Sequence, residues 1–233
     1  MSLVNPVLIL GMHRSGTSCL TGCLQEAGLY LGNVNTEAGF NKKGNRENRD
    51  IMDHHDRILS RSGASWSNPP AIDPVWTEEE KEYLSGLLET YAGAGLWGLK
   101  DPRTLFMLEG WKSLTTPNFV GTFRHPYEVA SSLVHRAAIW NQPMDIAMAY
   151  DLWASYNKKL LSVHKEQPFD IIRYDIPAKL YNLKLIRMTL RLGLNPLATN
   201  SFREENLHNQ HKVETGVPKA HKGIWEALND LAI

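Results

Sequence analysis

The sequence predicts an α/β fold in three layers, with a mostly parallel sheet covered by helices on both faces. Three observations carry this. Short continuous apolar runs alternate with longer stretches of helical period, the order that strand–helix–strand crossovers produce. The first run, Val7-Leu8-Ile9-Leu10, shows no polar alternation, which suits a strand buried on both sides. That run leads through a glycine-containing loop straight into a helix, one half of a βαβ unit.

The remaining elements follow in order. Helical spacing from Gly16 puts Cys19, Leu20, Cys23, Leu24 and Ala27 on one side and stops at Gly28. Residues 29–46 are aperiodic and rich in Gly and Asn, hence a loop. A helix from about Glu47 carries Ile51, Met52, Ile58 and Leu59 and ends near Gly63. Residues 65–74 are irregular, and 78–91 are helical again. Leu96-Trp97-Gly98-Leu99 is a second strand, broken by Lys100-Asp101-Pro102-Arg103. A helix holding Leu105, Phe106, Leu108 and Trp111 comes next. Residues 119–123 form a third strand ending at Arg124, before a helix opened by Pro126. Residues 144–167 make a long helix with Ile146, Tyr150, Trp153, Tyr156 and Leu160 on its buried stripe. A fourth strand at 169–173 and a helix at 178–192 precede a polar tail from Asn195, which closes with a short helix near 224–231. No repeat or compositional break divides the chain, so one domain over residues 1–233 is expected, with 195–233 its least regular part. Met1-Ser2-Leu3 has the look of a cloning remnant.

Composition narrows the function. The 25 basic and 25 acidic side chains cancel, which argues against a general binder of nucleic acid or anionic membrane. A local cationic pocket for one polyanionic small molecule is compatible with that balance. No apolar run reaches the length of a membrane span and no charged-then-apolar leader is present, so a cytoplasmic location is expected. Cys19 and Cys23, four apart, read as buried thiols on one helix face. The pairs His54-His55 and His208/His211 lack the further ligands a zinc site needs, and no metal is expected. Trp66, Trp76 and Trp140 fall in loops, where they are either ordinary packing or walls of a substrate pocket.

Gly11-Met12-His13-Arg14-Ser15-Gly16-Thr17-Ser18 is the most informative segment. Its glycines have the P-loop spacing G-x-x-x-x-G between strand and helix. Glycines there let backbone N–H groups curl around an anion, and the helix N-terminus adds partial positive charge. A nucleotide triphosphatase needs Lys directly after the second glycine and a Ser/Thr for Mg²⁺. Here that position holds Thr17, and the cation sits upstream at Arg14. The loop therefore suits a terminal phosphate-like group that needs no magnesium. In an open parallel sheet the ligand lies beyond the carboxyl ends of the strands. The second and third strands end in Lys100-Asp101-Pro102-Arg103 and Arg124-His125-Pro126, so three strand ends converge on positive charge.

Taken together, the Arg-Ser-Gly-Thr-Ser loop, the Lys-Asp-Pro segment and Phe123-Arg124-His125-Pro126 through Ser132 resemble the sulfotransferases that use 3′-phosphoadenosine 5′-phosphosulfate (PAPS). The resemblance is nearest to bacterial and tyrosylprotein-type members, with Arg rather than Lys in the loop, and runs from about Val7 to Asp175. It implies transfer of a sulfuryl group from PAPS to an acceptor hydroxyl on a small molecule, glycan, lipid or peptide, by in-line displacement without metal. It further implies that Arg14, Ser15, Gly16, Thr17 and Ser18 hold the 5′-phosphosulfate, Arg124 and Ser132 the 3′-phosphate, and that Tyr174 lies near the nucleoside. The family's Arg-Lys-Gly segment is absent, and Lys222-Gly223 is only an echo of it. Arg14 and Lys100 are the candidate transition-state cations. Glu47 is the first choice of general base, though a first-turn helix glutamate favoured by the macrodipole explains it equally well. Asp101 reads as positioning Lys100 or Arg103, while His13 and His125 are either bases or loop-orienting residues. Two other readings remain, a nucleotide or small-molecule kinase on the P-loop plan and a non-catalytic nucleotide-binding module. Acceptor identity and oligomeric state are not encoded in any readable motif.

Overall fold

The computed structural model describes residues 5–37, 43–198 and 216–233; the histidines at 208 and 211 lie outside them. Four strands form one parallel sheet in the order β2 (Gly98–Leu99), β1 (Val7–Leu10), β3 (Asn118–Phe123) and β4 (Asp170–Arg173). Leu8 of β1 pairs with Leu99 on one side and Phe119 on the other, and Gly121 of β3 with Ile171.

The continuous apolar runs serve two cores, because successive strand side chains point to opposite faces. Val7, Ile9, Val120 and Ile172 pack on helices α1 (Thr17–Glu26) and α7 (Ala178–Arg191) through Leu20, Leu24, Tyr181 and Leu185. Leu8, Leu10, Phe119, Phe123 and Ile171 belong to the larger core on the other face. That face is covered by α2 (Arg49–Arg61), α3 (Glu78–Leu88), α4 (Leu108–Leu114), α5 (Pro126–Ile139), α6 (Ile146–Glu166) and α8 (Lys222–Leu231). Cys23 is fully buried and Cys19 partly so, and the two form no disulfide. No helix among the described residues is long and apolar enough to cross a membrane.

Two expected elements differ. The helix expected from Glu47 starts at Arg49, because Asn48 caps it and accepts hydrogen bonds from the N–H groups of Asp50 and Ile51; asparagine supplies a short side-chain acceptor that glutamate in that place lacks. The helix expected around residues 105–111 is split. Asp101 accepts from Arg103 N–H and starts a 3₁₀ turn over Pro102–Phe106, after which α4 begins.

Trp76 is core rather than pocket wall. Its indole lies where a Cβ on Gly110 would sit and meets the His54 ring edge-on at 5.2 Å, while Tyr83 stacks on His54 at 4.9 Å. His54 is 2% exposed. Burial first, then His55 and Arg57, push its pKa down to about 4. An imidazole buried neutral contributes stability above its unfolded pKa of about 6.5 and loses it as pH falls toward the folded value. The melting temperature should therefore drop between about pH 6.5 and 4. His54→Gln should shrink that drop, as thermal melts at pH 7, 5.5 and 4 would show.

Candidate active site

All four strands run the same way, so their carboxyl ends share one edge, and the candidate residues of the sequence collect there. β1 delivers the loop from Gly11. Gly11, Arg14 and Gly16 take positive φ values of 150°, 64° and 87°, so the non-glycine Arg14 occupies left-handed backbone, an uncommon and costly state. Gly16 is required at its place, since a Cβ would run into the Tyr174 ring. Gly16 is also the N-cap of α1, and no side chain caps that helix. Ser15 is fully buried and its Oγ has no hydrogen-bond partner. Thr17 is buried in the first turn, and Ser18 is partly exposed beside it.

Arg14 is turned toward α5, where its Nε donates to Ser132 Oγ at 2.7 Å. Burial lowers the Arg14 pKa, and the nearby positive charge of Arg124 lowers it further. Arg124 lies over the Tyr174 ring at 5.4 Å and donates to Glu128 at 3.0 Å. Arg14, Ser132, Arg124, Tyr174 and Gly16 thus form one contiguous group from three strand ends and a helix. The Arg124–Glu128 pair, at i,i+4 within one stretch, was not part of the sequence expectation.

Lys100 and Glu47 are joined directly. Lys100 Nζ donates to Glu47 Oε1 at 2.7 Å, and both side chains are nearly dry. The explanation of Glu47 as a first-turn helix residue therefore fails: it precedes the cap, and its partner is an ammonium 53 residues away.

Next to Lys100 lies a buried chain of hydrogen bonds, of which the sequence suggested only the link between Asp101 and Arg103. Trp111 Nε1–H donates to His55 Nε2 at 3.0 Å. An indole only donates, so His55 carries its proton on Nδ1 and gives it to Asp101 Oδ2 at 2.7 Å. Asp101 Oδ1 accepts from Arg103 at 2.8 Å, and Arg103 also binds Asp56 at 2.5 Å. Burial alone would raise the Asp101 pKa, but Arg103 and His55 together outweigh it and hold the carboxyl below its ordinary range. Asp101 therefore positions Arg103 and the turn that follows Lys100. Of the other imidazoles, His125 is the N-cap of α5, its Nδ1 accepting from Tyr127 N–H at 3.3 Å. His13 packs edge-on against Trp66 and Tyr156, and its Nε2 is buried without a partner. Burial, then Arg103 and Arg136, hold its pKa well below the ordinary imidazole value.

A further cation at this edge, Arg136, was missed. It stands one helical turn after Ser132 on α5, a spacing visible in the sequence. Among the described residues no group of His, Cys, Asp and Glu is arranged to hold a metal ion.

Neither protein-family models nor curated proteins match the sequence. Among solved structures, the chain is similar to the sulfotransferase domain of the Synechococcus PCC 7002 olefin synthase. The TM-score is 0.52 at 19% identity, over 97% of this chain and 95% of that domain. The two share their architecture, a parallel sheet with helices on both faces.

Removing one member of a buried ion pair leaves the other charged and dry, at a cost of about 3–5 kcal/mol. Glu47→Gln should lower unfolding stability by that order. The double variant Glu47→Leu/Lys100→Met should recover most of the loss, as urea denaturation of the three proteins would reveal.

Proposed function

We propose that the chain is a sulfotransferase that moves a sulfuryl group from PAPS to an acceptor hydroxyl. The observation that carries this reading is the meeting of Arg14 and Ser132, 118 residues apart, over a helix N-terminus that no side chain caps. An uncapped helix start, an unpartnered buried hydroxyl at Ser15 and an unneutralised guanidinium are the parts of an anion cradle. The shared fold with a sulfotransferase domain supports the same reading.

In this reading the loop from Arg14 to Ser18 holds the 5′-phosphosulfate. Arg124 and Ser132 hold the 3′-phosphate, the nucleotide's dianion replacing Glu128 as the partner of Arg124. Tyr174, packed on Gly16 and under Arg124, borders the nucleoside. The acceptor oxygen forms its bond to sulfur as the bond from sulfur to the bridging phosphate oxygen breaks, and 3′-phosphoadenosine 5′-phosphate leaves. Glu47 takes the hydroxyl proton, while Lys100 and Arg14 stabilise negative charge on the departing oxygens. The 2.7 Å pair between Glu47 and Lys100 sets base and cation side by side, and the Asp101–Arg103 network fixes the turn that carries Lys100. The Thr at position 17, where a kinase places Lys, is why magnesium-dependent phosphoryl transfer is the weaker alternative.

Two measurements test this. 3′-Phosphoadenosine 5′-phosphate should raise the melting temperature, by the equivalent of about 2.7 kcal/mol at a hundredfold excess over Kd; magnesium ATP should not. Stabilisation by magnesium ATP alone would make the protein a kinase-like module and refute the proposal. Removing a transition-state donor typically costs about 10²–10³ in turnover. Arg14→Ala should therefore lose sulfate transfer by that factor, measured with radiolabelled donor, with a smaller loss in nucleotide affinity.

A further inference from the structure

The pairing of charges along the ligand edge is incomplete in a specific way. Lys100 is matched by Glu47, Arg103 by Asp101 and Asp56, and Arg124 by Glu128. Among the described residues, no carboxylate lies within ion-pair distance of Arg14 or Arg136. The donor anion of the proposed function accounts for Arg14. Nothing in that reading accounts for Arg136.

Arg136 is held in place without a counter-charge. Its guanidinium lies over the Trp66 ring at 4.8 Å and over the Trp140 ring at 5.2 Å, contacts that orient a cation but do not neutralise it. Burial, then the positive charge of Arg14, pushes its pKa down to about 10. Glu47 is close enough to act on Arg136 electrostatically, which puts Arg136 on the same side as the proposed base, yet Glu47 Oε1 is already taken by Lys100. A partly dehydrated guanidinium held over two tryptophan rings, one helical turn (about 5.4 Å) beyond Ser132, has no group of the proposed donor assigned to it and is left for the acceptor.

We propose that Arg136 is a specificity-determining residue. On this proposal the acceptor carries, besides the hydroxyl, an anionic group (carboxylate, phosphate or sulfate) that pairs with Arg136 between Trp66 and Trp140. This rests on the sulfotransferase reading for the word acceptor, but the anion site itself is separately measurable. A planar fork with five donors suits any of the three anions, so the head group is left to the experiment. The tryptophans supply apolar walls on which an aryl or alkyl portion packs.

The test uses the whole protein, with and without saturating 3′-phosphoadenosine 5′-phosphate. Phenylacetate, phenyl phosphate and benzenesulfonate are titrated against neutral phenylacetamide and benzyl alcohol, followed by tryptophan fluorescence and calorimetry. At least one anion should bind tenfold or more tightly than both neutral probes. Arg136→Gln should abolish that preference while leaving the nucleotide Kd within twofold, and Arg136→Lys should keep most of it. If every anion binds no better than the neutral probes, the proposal is overturned. It is equally overturned if Arg136→Gln, folded by its melting curve, keeps the preference, or if that variant instead weakens PAPS and leaves the preference intact. Failure of the nucleotide to bind at all, with the Arg136-dependent preference intact, would sink the donor reading and leave this site standing.

Discussion

A charge withdrawn from water is stable only beside an opposite charge or several good hydrogen bonds. This constraint organises the carboxyl edge of the sheet. Lys100, Asp101 and Arg103 are nearly inaccessible, so each must be satisfied from inside the protein. Glu47 comes from the loop before α2, Asp56 and His55 from α2 itself, and Trp111 from α4. The polar network therefore ties three separate segments to the turn after β2. A strand of only two residues could not fix that turn by its own ladder.

The loop after β1 obeys a different constraint. Three of the six positions from Gly11 to Gly16 take positive φ. The close approach of Tyr174 to Gly16 then excludes any side chain there. Arg14 accepts an unfavourable backbone state, and its guanidinium gains a position against Ser132 on α5. Under the proposed function, the strain and the contact amount to preorganisation: the cation is set before the donor arrives, so binding does not have to order it.

The sheet was legible because its strand centres are buried on both faces, which writes β1 as an unbroken apolar run and gives β3 and β4 short apolar stretches. Those runs place Val7 and Ile9 in one core and Leu8 and Leu10 in the other. The loop between β1 and α1 was legible because its two glycines fall between an apolar run and a stretch of helical period. Less of the surrounding chemistry could be read. His54 and His55 were expected to be surface or core histidines, but nothing in the sequence says that His55 bridges Trp111 to Asp101 while its neighbour packs between Tyr83 and Trp76. The start of α2 was misplaced by two residues, because Asn48 and Glu47 are both plausible openings until the cap hydrogen bonds are seen.

Sequence by itself determined the layered α/β order, the loop after β1 and the cations at three strand ends, since all of these are local patterns of spacing and period. Tertiary structure alone decided which charges neutralise which. Glu47 with Lys100 spans 53 residues and Arg103 with Asp56 spans 47, while Arg136 lies within electrostatic range of Glu47 with no carboxylate at ion-pair distance among the described residues. Pairing of that kind depends on distance in space and on exclusion of water, and both are set only when the helices close over the strand ends.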